Sequence, residues 1–525
     1  MAISRFDGFY PVATPDPYGY PLVPVPGGAV TINPGDNVAT VMAANPPGTD
    51  YFFADGTFST GLSGIVIQDG DRWFANPQAV TLDGTAYSGV KVIDLPASVN
   101  LEVYYLRFAN WTVTSDHSSN IDARDDGWDD DPEVGGNHPR WNTTPGSLLL
   151  YGCEASNHTD SSPGGLGHLI QLGQNGTMVG GSYTGGASSG LCLNGHGPGI
   201  VLDGVVFTDW RGNASGHHGI CKLVKVHGTT IRRCKFDNSA NTVGNTLLWL
   251  DVDAYDILIE YNEFVNQRGY AIHMELGSVA KIRCNQFTDT GNTTNSYWGW
   301  NGSILVACYE DLVIESNVYD NCYGAVLLID QSAERNWGDE YCNGTKNWTW
   351  DTRENGLSPA PLNVVGGDGK WGPSTGTGPG PGGTNYRTAD WVPIWGRRPT
   401  SADGSPTADF IDEYATGGAT IRNNTMNNCA RTSAGNHAVP TIGARADNIG
   451  FHGSTDSRAY KLGAGQNNVY GNAYTGTNNV RWYTGWASNP NYDNVGDASM
   501  TLATAQSSLG FDPVGSRTVQ TAVAI

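Results

Sequence analysis

Residues 249–264, 272–287 and 304–319 read WLDVDAYDILIEYNEF, IHMELGSVAKIRCNQF and ILVACYEDLVIESNVY. Laid over one another without gaps, they share one frame. It opens with a short strand, passes a turn, and closes with aliphatic-x-x-Asn-x-aromatic. The same frame fits Arg72–Tyr87, Ile93–Phe108, His168–Tyr183, Cys192–Phe207, Cys221–Phe236, Ile411–Met426 and Ala459–Tyr474. Its aliphatic position is Leu82, Val103, Met178, Leu202, Ile231, Ile259, Ile282, Ile314, Ile421 and Val469 in chain order, and its last position is aromatic in every copy but Met426. Copies that run consecutively lie 21 to 32 residues apart. That is one coil of a parallel β-helix with two or three short strands per turn. One coil cannot cover its own apolar face, so each aliphatic or aromatic residue is expected to stack ~4.8 Å above its counterpart. Asn262, Asn285, Asn317, Asn424 and Asn472 stand two before the ring position. An amide there can bend the chain and hydrogen-bond to the next coil.

The repeat predicts an all-β chain, a parallel β-helix solenoid with a long loop-rich insertion. Residues 1–30 form a Pro- and aromatic-rich arm, residues 31–495 the β-helix, and residues 496–525 a C-terminal cap or tail. Two insertions, 109–147 and 334–410, break the period.

Composition agrees with this reading. Of 525 residues, 70 are Gly and only 15% are charged, against about 25% in an average chain. Sixteen Trp and 24 Tyr are too many for a disordered chain. Twenty-nine basic against 51 acidic residues give a net charge of −22, which excludes a polyanion-binding protein, so no nucleic acid partner is expected. No run approaches the ~18 apolar residues of a membrane span, so no membrane insertion is expected. The first ten residues, MAISRFDGFY, lack the apolar core of a signal peptide. Nine Cys, with no CxxC pair, are expected to be buried reduced thiols that pack as small hydrophobes.

NVATVMAANPPGTDYFFADGTF (37–58) and IVIQDGDRWFANPQAVTLDG (65–84), with SMTLATAQSSLGFDPVGS (499–516) near the end, resemble the opening and closing segments of the pectate-lyase-like superfamily. The resemblance implies a right-handed coil. That superfamily holds polysaccharide lyases, polygalacturonases and phage tailspikes. With its arm, its acidity and its lack of a leader, the chain looks most like a bacteriophage minor tail or tailspike protein. That likeness implies a place in the virion tail, a homo-oligomer (a trimer), other virion tail proteins as partners, and recognition of a host cell-surface polysaccharide. The alternative is a polysaccharide-cleaving hydrolase or lyase on the same scaffold, with an extracellular location. Polygalacturonase-like elements are present as Asn120-Ile-Asp122, Asp125-Asp126 and Gly195-His196-Gly197. The first two lie closer together than in that family, and its Arg-x-Lys is missing. The pectate-lyase patterns Trp-x-Asp-His and Arg-x-Pro-x-x-Arg are absent.

Three constellations could carry chemistry. In Tyr270-Ala-Ile-His-Met-Glu, Ile272 and Met274 are expected inward and His273 and Glu275 outward, near Asp251 or Asp253 of the adjacent coil. Paired carboxylates at ~5–9 Å could cleave a glycosidic bond; the plain alternative is a solvated polar face. Tyr297, Trp298 and Trp300, with Trp337, Trp348 and Trp350 of the long insertion, are ring candidates for stacking on sugars or packing on a partner. Asp125, Asp129, Asp131 and Glu133 could hold Ca²⁺ through oxygen ligands, or form a solvated loop. No other cofactor is expected.

Overall fold

The computed structural model describes residues 16–115, 118–123, 146–162, 167–210, 220–238, 246–251, 254–267, 269–291, 302–330 and 420–429, apart from single positions within them. It also describes strands at 442–446, 463–466, 469–470, 478–484, 497–501 and 516–517. Two compact units emerge, one of residues 1–126, 142–248 and 258–266, the other of 127–141, 249–257 and 267–525.

Both units are parallel β-helix, with three rows of strands. In the first unit one row runs through Asn100–Tyr104, Ser147–Tyr151, Thr177–Val179 and Val201–Asp203 into the end of Cys221–Arg232. A second row runs through Gly56–Phe58, Val80–Asp83, Leu106–Ala109, Glu154–Asp160, Ser182–Gly185, Val206–Thr208, Lys235–Asp237 and Glu263–Val265. The third runs from Ile93–Asp94 through Ser119–Ala123, His168–Leu172 and Leu191–Pro198 into the start of Cys221–Arg232. The second unit repeats the plan, with Ile272–Arg283 and Ile304–Glu315 paired along their length. Its one antiparallel pairing among the described strands joins Asn478–Thr484 to Asp497–Thr501.

The core is the pair of columns that the repeat predicts. Ile231, Ile259, Ile282 and Ile314 are fully buried, as are Phe236, Phe264, Phe287 and Tyr319. Phe236 stacks on Phe264 with ring centres 4.9 Å apart, and Phe287 on Tyr319 at 4.7 Å. Each such ring contributes about 1.5–3 kcal/mol by burial.

A tight corner joins the two columns. The residue two after each aliphatic has φ between +54° and +66°: Tyr105, Gly152, Gly180, Gly204, Arg233, Tyr261, Cys284, Ser316 and Asn423. This left-handed bend pulls two backbone groups out of line, and the Asn of the next coil satisfies both. Asn262 Oδ1 accepts from Cys234 N, and its Nδ2 donates to Ile231 O, both at 2.9 Å. Asn317 and Asn424 repeat the device on Ile282 O and Ile314 O. Asn472 lies outside the described residues. Earlier coils place buried Cys153 and Cys234 at the Asn position, and burial pushes both thiols up to about 12.

Two copies of the frame need correction. Leu82 lies in the ring column, opposite Phe58 and Phe108, because the four-residue link 76–79 replaces the link of one or two residues found at the other corners. Tyr470, not Tyr474, pairs with Met426, so Val469 is not the aliphatic of its coil. One coil escaped the pattern: Leu150 pairs with Val103 and Met178, and Ala155 fills its ring position.

Residues 16–23 run along the corners of the first unit. Tyr20 Oη donates to Asp203 at 2.9 Å, Tyr151 Oη donates to Pro21 O at 2.7 Å, and Val23 N donates to Tyr105 Oη at 3.0 Å. Tyr18 Oη bonds to Glu154, which Arg107 also grips. The Arg233 guanidinium lies 5.6 Å over the Tyr20 ring centre, within the ~6 Å reach of a cation–π contact.

Candidate functional site

In the second unit, Ile272 and Met274 point inward and are fully buried. Alternation puts His273 on the opposite face. Although it faces away from Ile272 and Met274, as the alternation predicts, the residue is only 7% exposed. It stacks on Trp249 at 5.1 Å with planes 16° apart, and Tyr270 leans on it at 5.9 Å. In register with His273 is Leu305, followed by Leu327, and both cluster with Tyr270. The face beside His273 is therefore an aromatic and aliphatic platform. Asp251, two residues along from Trp249, shares its face and is 6% exposed. The backbone of Glu275 pairs with Ala307; its side chain and the whole of Asp253 lie outside the described residues.

In the first unit, one register position of the third row is polar on every coil. Asp122, Gln171, Asn194 and Lys222 stand in register. Lys91 Nζ bridges Asp122 and Asp94, at 2.9 Å to each. Burial works to lower the Lys91 ammonium, and the two carboxylates outweigh it, so its pKa is raised. Asn194 Nδ2 lies 3.1 Å from His168 Nε2. An amide NH₂ only donates, so Nε2 accepts and the proton belongs on Nδ1. The Asn120-Ile-Asp122 and Gly195-His196-Gly197 elements fall on this row with the His168–Leu172 strand between them. Asp125 and Asp126 lie outside the described residues.

So do Tyr297, Trp298, Trp300, Trp337, Trp348 and Trp350, and so do Asp125, Asp129, Asp131 and Glu133 of the acidic loop. Among the described residues no three His, Cys, Asp or Glu side chains converge as a metal site would require. Trp249 and Tyr270 escaped the sequence reading as partners of His273. Their signal was present: ILVA at 304–307 and VLLI at 326–329 are unbroken apolar runs, the mark of strands buried on both faces.

No family model matches the chain, and no curated protein matches it. Among solved structures it is similar to a mannuronic acid-specific polysaccharide family 6 lyase from human gut microbiota. The identity is 11% and the TM-score 0.36, over 94% of this chain and 92% of that one. It is also similar to PfbA, a surface adhesin of Streptococcus pneumoniae, at 10% identity and a TM-score of 0.38, over 57% of this chain and 88% of that one. A third similar structure is ORF18 of Geobacillus virus E2, at 10% identity and a TM-score of 0.27, over 57% of this chain and 54% of that one. Likeness at this level transfers no activity, and the fold rests on the strand rows themselves.

Proposed function

We propose that the chain acts on a polysaccharide, holding an extended glycan at the Trp249–His273 platform and cleaving it there. The carrying observation is the indole–imidazole stack with Asp251 on the same face. An indole offers its ring to the C–H face of a sugar. Histidine is the side chain best suited to move a proton near neutral pH. A neighbouring carboxylate supplies the second group that glycoside cleavage needs. Their low exposure keeps water away and strengthens the electrostatics of the site. Tyr297, Trp298, Trp300, Trp337, Trp348 and Trp350 belong to the same proposal as further sugar-stacking rings, and Asp125, Asp129, Asp131 and Glu133 as a Ca²⁺ loop. The test incubates the intact chain with acidic and neutral polysaccharides and follows viscosity and new chain ends. Asp251→Asn and His273→Gln should each slow shortening by about a hundredfold or more. A chain that shortens no polysaccharide, or variants as fast as the parent, would refute cleavage.

One observation favours a second reading. The His273 ring is packed between Trp249 and Tyr270, as suits a binding or structural residue as well as a proton carrier. On that reading the chain is a virion tail component, a trimer among other tail proteins, that recognises a host cell-surface glycan without cutting it. Glycan binding without shortening, by a species that sediments as a trimer, would support it over the first.

A further inference from the structure

Two thiols meet inside the second unit. Cys322 stands three residues after Tyr319 and Cys429 three after Met426. Tyr319 and Met426 are register partners, so the cysteines hold the same place on consecutive coils. Cys322 is 0% exposed and Cys429 2%, both are free, and each thiol donates to the ring-position carbonyl of the coil before it, Cys322 Sγ to Phe287 O at 3.5 Å and Cys429 Sγ to Tyr319 O at 3.8 Å. Cys322 Sγ also lies 3.3 Å from Thr290 Oγ1 and 3.4 Å from Asp320 O. Cys429 Sγ lies 3.4 Å from Asn427 O. Stacked coils are ~4.8 Å apart, inside the ~4.4–6.8 Å between Cα atoms that a disulfide spans. The packing of these two residues therefore goes beyond that of small hydrophobes.

We propose that Cys322 and Cys429 form a reversible disulfide that staples consecutive coils across residues 323–428, the stretch that contains the Trp-rich insertion 334–410. The oxidant is a low-molecular-weight disulfide. One of the two protein thiolates attacks one of its sulfurs, forming a mixed disulfide and releasing one small thiolate. The other protein thiolate then attacks the cysteine sulfur of that mixed disulfide and releases the second. The two protein protons end on the two small thiols, so the protein loses two electrons and the oxidant gains them. Burial works against a thiolate at both positions. Exchange with a thiol this buried proceeds through local opening of the coil.

The test treats the intact folded chain with oxidised glutathione, removes it, and blocks the remaining thiols in denaturant. Two of the nine cysteines should escape blocking, and a peptide map should join Cys322 to Cys429. Dithiothreitol should reverse the link. The oxidised chain should melt several degrees above the reduced one, and Cys429→Ala should stop at a mixed disulfide with glutathione on Cys322, with no link between cysteines. Nine blockable thiols in the oxidised parent, a map joining other cysteines, or an unchanged melting midpoint would overturn the proposal. If Cys429→Ala does not fold, the map of the parent chain decides alone.

Discussion

Asn317 is fully buried, and its side chain ties three coils together. Its Oδ1 accepts from Asn285 N and Nδ2 at 2.9 and 3.0 Å, and its Nδ2 donates to Ile282 O at 3.0 Å and Asn424 Oδ1 at 3.1 Å. Truncation would leave a buried donor and a buried acceptor with no water to replace the amide. Each such orphan costs ~1–3 kcal/mol, so Asn317→Ala should destabilise by about 2–4 kcal/mol in urea titration. A loss under ~0.5 kcal/mol would mean that the ladder decorates the coil and does not hold it. His158 gives the pH counterpart. It is buried, with Nδ1 2.7 Å from Ser189 O and its ring 5.7 Å from Trp210. Burial drives its pKa from 6.5 down to about 4. The unfolded chain takes up the proton below ~6.5 and the folded chain only near 4, so stability is lost as pH falls through that window. The full effect is about 3 kcal/mol. Melting midpoints from pH 7 to 4 should fall more steeply for the parent than for His158→Gln, and parallel curves would remove this role. The Asn ladder was legible in the sequence because one residue type recurs at one position. The left-handed corner beside it was not. Tyr, Gly, Arg, Cys, Ser and Asn all occupy it, since coil geometry and not side-chain chemistry sets that backbone angle.

At the scale of elements, the arm and the corners form one device. Gly204 has φ +66°, and a Cβ there would lie 2.0 Å from Tyr20 Oη. Gly204→Ala should therefore lower stability both by the left-handed penalty of ~1–2 kcal/mol and by pushing Tyr20 off Asp203. In a Tyr20→Ala background the second part disappears, so the two changes should be less than additive in a double-mutant cycle. Strict additivity would show that the arm does not press on this corner. The strand frame was readable wherever one or two residues link the strands at the corner. It slipped at Arg72–Tyr87, where residues 76–79 make a longer link, and it missed the coil of Leu150, whose ring position is Ala155.

For the whole molecule, the rows of strands were legible because stacking demands one apolar column per position. The candidate site was legible only in part. His273 and Asp251 stood out by chemistry, but the sequence reading assumed that an outer face is wet. Leu305 and Leu327 beside His273 make it a dry platform instead. The net charge of −22 adds that an acidic glycan would be repelled at low ionic strength and a neutral one would not. Glycan binding at the platform is tested most directly by affinity electrophoresis in gels cast with each polysaccharide, comparing the parent with Trp249→Ala. A polysaccharide that retards the parent should retard Trp249→Ala at least about tenfold more weakly, with melting of the variant still cooperative. Equal retardation of a folded Trp249→Ala chain would contradict a glycan site at Trp249 and His273.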